Sequence, residues 1–128
     1  MSWFTQDRTC QIAAIILSAL SITLLFIPGL IFWLFNMSHD LGGAIISRRT
    51  AMLFAGLALL AWRARDLERS RATDAIFQAF VVVMAGLACV GLFEYLRGTV
   101  GIGIFLAIIV ELFFAAAFVR FIGNKTGD

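Results

Sequence analysis

From Cys10 to Phe35 the chain reads CQIAAIILSALSITLLFIPGLIFWLF, with no Asp, Glu, Lys, Arg or His in it. In lipid every backbone N–H and C=O must be satisfied within the segment, so a helix of roughly 20 apolar residues is what crosses about 30 Å of hydrocarbon. A run this long predicts a membrane-crossing helix. It is expected to be retained rather than cleaved: a secretory apolar core is about 7 to 15 residues and ends in small side chains, whereas this one closes with bulky IFWLF. Pro28 and Gly29 are expected to kink the helix or end its regular part, since proline removes a donor and crowds the preceding turn.

The rest of the chain is of the same kind. Of 128 residues 62% are hydrophobic and 14% charged, with one proline, and the mean hydropathy is +0.98. A soluble domain is about 45 to 50% apolar and about 25% charged. The sequence is that of an integral membrane protein in a single domain, with no room for a separate soluble catalytic or nucleic-acid-binding domain. Two further runs, AIFQAFVVVMAGLACVGLFEYL (75–96) and VGIGIFLAIIVELFFAAAFV (100–119), each match one bilayer thickness. Only Arg97, Gly98 and Thr99 separate them, which predicts an antiparallel helical hairpin.

The remaining run is shorter. AMLFAGLALLAW, Ala51 to Trp62, rises only about 18 Å as a helix. Extending it back through GGAIISRRT supplies the length but draws Arg48 and Arg49 inside the membrane boundary, where they must snorkel or find anions. The expected architecture is thus all-α, an up-and-down bundle of four transmembrane helices over about 10–35, 44–63, 75–96 and 100–121. Alternation with period two, the signature of a membrane barrel, is absent.

Basic residues orient the bundle. With four spans, Arg8, Arg63, Arg65, Arg69, Arg71, Arg120 and Lys125 share one side, and Arg48, Arg49 and Arg97 the other. The positive-inside rule then favours both termini in the cytoplasm. Trp3, Trp33, Trp62 and Tyr95 fall near helix ends, as interfacial anchors do. The loop RARDLERSRATD interleaves four arginines with Asp66, Glu68 and Asp74. That balance suits a solvated turn and lacks the unopposed basic cluster of a nucleic-acid site.

Glu111 lies about 16 Å into the fourth segment, close to the midplane. A charge there costs on the order of 2.5 to 3.5 kcal/mol on insertion scales, so the acid should be protonated, paired or wetted. In an up-and-down bundle the second and third spans are antiparallel neighbours, so Arg48 and Arg49 are expected at about the depth of Glu94. Arg97 follows Glu94 by three residues on the same face. The candidate site is therefore a cluster of Glu111, Glu94, Arg48, Arg49 and Arg97. Two readings stay open: a proton- or ligand-responsive pocket, or an interhelical clamp that fixes packing.

Other positions have plainer readings. Gly103, Ala107, Glu111 and Ala115 form one stripe, and Ala55, Gly56, Ala85 and Gly86 form small patches; small residues let helices approach closely in lipid. Cys10 and Cys89 are expected to be buried and unbridged. Gln78 suits an interhelical hydrogen bond. His39 has no companion for a metal site, and nothing in the chain calls for a cofactor.

Small multidrug exporters and fluoride channels have this length and four helices. The chain lacks the first-helix glutamate of the former and the Asn- and Thr/Phe-rich polar track of the latter. Its proline-containing bulky end to the first run, double arginine leading into FAGLALLAWRAR, basic loop and glycine-broken hairpin resemble small uncharacterised bacterial four-helix membrane proteins. The resemblance implies the bundle and a place in the inner membrane of a bacterium, and no residue roles. Three functions are consistent with these features: a non-enzymatic helper or assembly protein, contacting the bilayer and a second copy or a partner membrane protein; a proton-linked transporter or ligand-binding protein using Glu111 and Glu94; and an enzyme acting on a lipid or quinone. The last needs an acid and base pair within hydrogen-bond reach, and only the two glutamates offer one. The first is expected.

Overall fold

The computed structural model describes residues 5–38 and 40–122. Trp3, His39 and Lys125 lie outside the described residues. Among those described, the chain forms five helices: α1 (Gln6–Phe26), α2 (Pro28–Leu34), α3 (Leu41–Ala64), α4 (Arg71–Leu96) and α5 (Ile104–Val119). Three of them, α1, α3 and α4, are long and apolar enough to cross a membrane. The protein is an all-helical membrane protein.

Local chemistry accounts for most helix ends. Thr5 caps α1 by accepting the Arg8 N–H, and Asp40 caps α3 by accepting the Gly43 N–H at 2.7 Å. Ser70 caps α4 through the Thr73 N–H. Each satisfies a donor that the first turn leaves free. The first run is not one helix. It breaks at Ile27 (φ −136°, ψ 59°), and Pro28 starts α2, where its missing N–H costs nothing. At the end of α4, Gly98 takes the left-handed region (φ 80°), the Gly98 N–H reaches the Tyr95 carbonyl and the Thr99 N–H the Glu94 carbonyl. That is the Schellman stop, and it turns the chain back into α5.

α5 is shorter than the apolar run that contains it. Its regular part covers 16 residues, and single i→i+3 turns extend it at both ends, from Gly101 and Ile102 before it to Phe121 and Ile122 after it. Gly101 and Gly103 permit the tight entry.

Helix α1 packs along α3, and α4 along α5; α1 also meets α5, while α2 folds against α1 and α3. The consecutive helices α3 and α4 do not form a close pair. This departs from the simple up-and-down neighbour order. The α1–α3 seam is built of Ala13, Ala14, Ala51, Ala58 and Ala61, all buried, and Ser21 Oγ donates to the Ala51 carbonyl at 2.7 Å. The α4–α5 seam uses rings instead. Phe80 stacks on Phe118 with centroids 4.9 Å apart, and Phe77 lies 5.6 Å from Phe118.

Hydrogen bonds tie the ends together. Gln6 Nε2 donates to the Ala64 and Leu67 carbonyls, and Arg69 donates to the Phe121 carbonyl at 2.9 Å. The start of α1, the α3–α4 loop and the end of α5 therefore lie at one end of the bundle. Arg65 pairs with Asp7 at 3.7 Å and stacks over Trp62 at 4.0 Å. At the other end the Gly101 N–H donates to the Phe35 carbonyl at 2.6 Å.

Only 28 to 39% of the most apolar stretch of each long helix is buried, so most of the helical surface faces outward. Gly56 and Gly86 have open space where a Cβ would go, and Gln78 and Cys89 are exposed. These positions contact the surroundings rather than a neighbouring helix. Cys10 is buried, and both cysteines are free.

Candidate functional site

The stripe of α5 turns toward α1 and α2. At Gly103 an added Cβ would collide with the Leu34 carbonyl, and at Gly101 one would meet Asn36 Cβ at 2.8 Å. The two glycines let the end of α2 seat directly on the entry to α5. One turn further along, Ala107 lines an open groove, and Ala115 is buried in the core.

Glu111 sits between these, half-buried. On one side it borders a cavity of about 40 Å³ among Leu17, Phe54, Met84 and Phe114. On the other it borders the groove, about 200 Å³, walled by Ile16, Leu20, Ile31, Leu34, Phe35 and Val110. Glu111 is the one polar side chain in either lining. A buried water typically needs about two to four polar partners, and this site offers one carboxyl group.

The charges expected around it are elsewhere. Glu94 binds Arg97, with Oε2 to Nη1 at 3.7 Å, and its Oε1 accepts the Thr99 hydroxyl at 2.6 Å. Arg97 also lies over the Phe93 ring. This group is a partly exposed cap at the end of α4. Arg48 and Arg49 are exposed on α3, and α3 does not run beside α4, so the depth match with Glu94 brings no contact. Among the described residues neither arginine, nor Glu111, has an ion-pair or side-chain hydrogen-bond partner. The structure thus joins Glu94 with Arg97 and leaves Glu111, Arg48 and Arg49 as three separate unpaired groups. No three His, Cys, Asp or Glu side chains among the described residues converge as metal ligands.

A second feature was not evident from the sequence. Between α1 and α3 runs an apolar groove of about 740 Å³, bordered by Ala14, Ser18 and Ile22 on one helix and Ala55, Leu59 and Trp62 on the other. The only hint in the sequence was the scatter of small and hydroxyl residues in the first run.

No protein-family model, curated protein or solved structure matches the chain.

Proposed function

We propose that this is a four-span protein of a bacterial inner membrane, with both termini cytoplasmic, that acts as a non-enzymatic helper or assembly protein. Glu111 is its polar contact for a partner within the bilayer. The observation that carries the reading is Glu111 itself: a carboxyl group on an apolar helix, beside an open apolar groove, with no ion-pair or hydrogen-bond partner among the described residues. Intramembrane ionisable groups are retained where something pairs with them, and here that group comes from outside the bundle. A lysine, arginine or amide side chain of a second helix, its stem in the groove and its head on Glu111, satisfies both. Four spans are supported by the turns that lengthen α5, and the orientation by the arginines around the α3–α4 loop.

The alternative is a proton-linked transporter or ligand-binding protein using Glu111 and Glu94. The groove beside Glu111 favours it, while the apolar lining disfavours a water path. A photo-crosslinking residue at Leu106, which is exposed beside the groove, separates the two. In membranes it should give an adduct with another protein that Glu111→Gln weakens and Glu111→Leu abolishes, with helix content unchanged. An adduct indifferent to Glu111→Leu would sink the proposal, as would pH-driven proton flux in proteoliposomes that Glu111→Gln abolishes.

A further inference from the structure

The groove between α1 and α3 ends beside an unexplained pair of charges. Ser21 Oγ on the Ala51 carbonyl fixes the register of the two antiparallel helices, so one turn further out Leu24 and Leu25 stand opposite Arg48. On α3, Arg48 precedes Ala55, Leu59 and Trp62 by seven, eleven and fourteen residues, which places all four along one stripe. Arg48 therefore stands on the stripe of the groove, about two turns beyond Ala55 at its outer end on α3, with Trp62 at its inner end.

Depth separates the two ends. With Trp62 at the inner interface, about 30 Å of hydrocarbon at 1.5 Å per residue reaches back to roughly residue 42. Arg48 and Arg49 are then about 9 to 11 Å inside that boundary, exposed and without partners among the described residues. At the inner end Arg65 already pairs with Asp7 and stacks on Trp62, and Arg63 lies where water solvates it. Arg97 at the outer end is held by Glu94, so among the described residues Arg48 and Arg49 are the arginines left to take an anion from the membrane.

We propose that an anionic phospholipid of the leaflet at the α2 end binds here, with an acyl chain along the α1–α3 groove and its phosphate on Arg48 and Arg49. Both helices run across the membrane, so the groove runs alongside the acyl chains and opens sideways to them. The guanidinium groups give the phosphate charge-assisted hydrogen bonds, and their stems lie along apolar surface. The site uses residues remote from Glu111 and stands whether or not that residue contacts a partner.

The test is native mass spectrometry of the purified full chain with phosphatidylglycerol or phosphatidylcholine, comparing wild type with Arg48→Gln/Arg49→Gln, Arg63→Gln and Ala55→Phe. Wild type should retain phosphatidylglycerol in preference to phosphatidylcholine. The double variant should lose that retention by roughly 10- to 30-fold, the effect of two arginines near a charged surface. Arg63→Gln should change nothing, and Ala55→Phe, which fills the groove, should weaken retention with the arginines intact. Both arginines are exposed, so the double variant should keep its helix content by circular dichroism; Arg48→Lys/Arg49→Lys, which keeps the charge, should recover part of the binding. Retention unchanged in the double variant overturns the site. Displacement of the lipid by inorganic phosphate, or indifference to Ala55→Phe, overturns the acyl groove. Loss of a copurifying protein without loss of lipid would reassign the arginines to a partner helix.

Discussion

Replacing Gly103 by alanine should be the most damaging small change in the chain. The added Cβ runs into the Leu34 carbonyl, a backbone atom that cannot rotate away as a side chain would. Relief requires α5 to move off the end of α2. That movement breaks the 2.6 Å hydrogen bond from Gly101 to Phe35, the backbone link between α2 and the α4–α5 hairpin. Overpacking costs about 1 to 3 kcal/mol and the lost hydrogen bond about 0.5 to 1.5, so the expected loss is about 1.5 to 4.5 kcal/mol. Two other glycines calibrate it. At Gly91 the nearest atoms are the Ile108 and Ile104 side chains at 3.3 and 3.4 Å, which yield by small rotations, and Gly91→Ala should cost about 1 kcal/mol. At Gly86 nothing lies within 4 Å, so Gly86→Ala should be neutral or stabilise by up to about 1 kcal/mol, from helix propensity alone. Reversible unfolding in mixed micelles, followed by circular dichroism, measures all three. If Gly103→Ala unfolds within about 0.5 kcal/mol of wild type, or Gly86→Ala is the worse of the two, the seating of α2 on α5 is not what holds this end together.

Ser21→Ala removes a buried hydroxyl bonded to the Ala51 carbonyl. In the same assay it should cost about 0.6 kcal/mol, and no more than about 1.7, the range for polar contacts between membrane helices. Phe118→Ala empties the centre of the α4–α5 seam, where the ring is fully buried among Phe77, Phe80 and Phe114. The loss should be about 2 to 3 kcal/mol, below that of a soluble core, because lipid tails partly replace the lost contacts. A larger loss from Ser21→Ala than from Phe118→Ala would reverse the assignment of stability to ring packing.

The Arg/Glu cluster shows where a sequence reading stops. Glu94 and Arg97 are three apart on one helix, and they pair. Arg48 and Glu94 belong to different helices, and their pairing required α3 and α4 to be neighbours. Matching depth follows from counting residues along a helix; lateral adjacency does not. The small patches divide in the same way. Ala85 packs against the core, whereas Gly56 and Gly86 face outward. Gln78 and Cys89, expected against a neighbouring helix, also face outward.

By itself the sequence determined the membrane class, the break at Pro28 and the hairpin turn at Gly98. Each depends on hydrophobicity summed over a segment or on a hydrogen bond within a few residues. Only the tertiary structure decided that α1 pairs with α3 and α4 with α5, that α2 sits on the glycines of α5, and that Glu111 faces a groove rather than an arginine. In water a polar face tells a helix which way to turn. In lipid an apolar face serves equally well toward a neighbour or toward the bilayer, so the choice rests on side-chain fit between segments far apart in the chain.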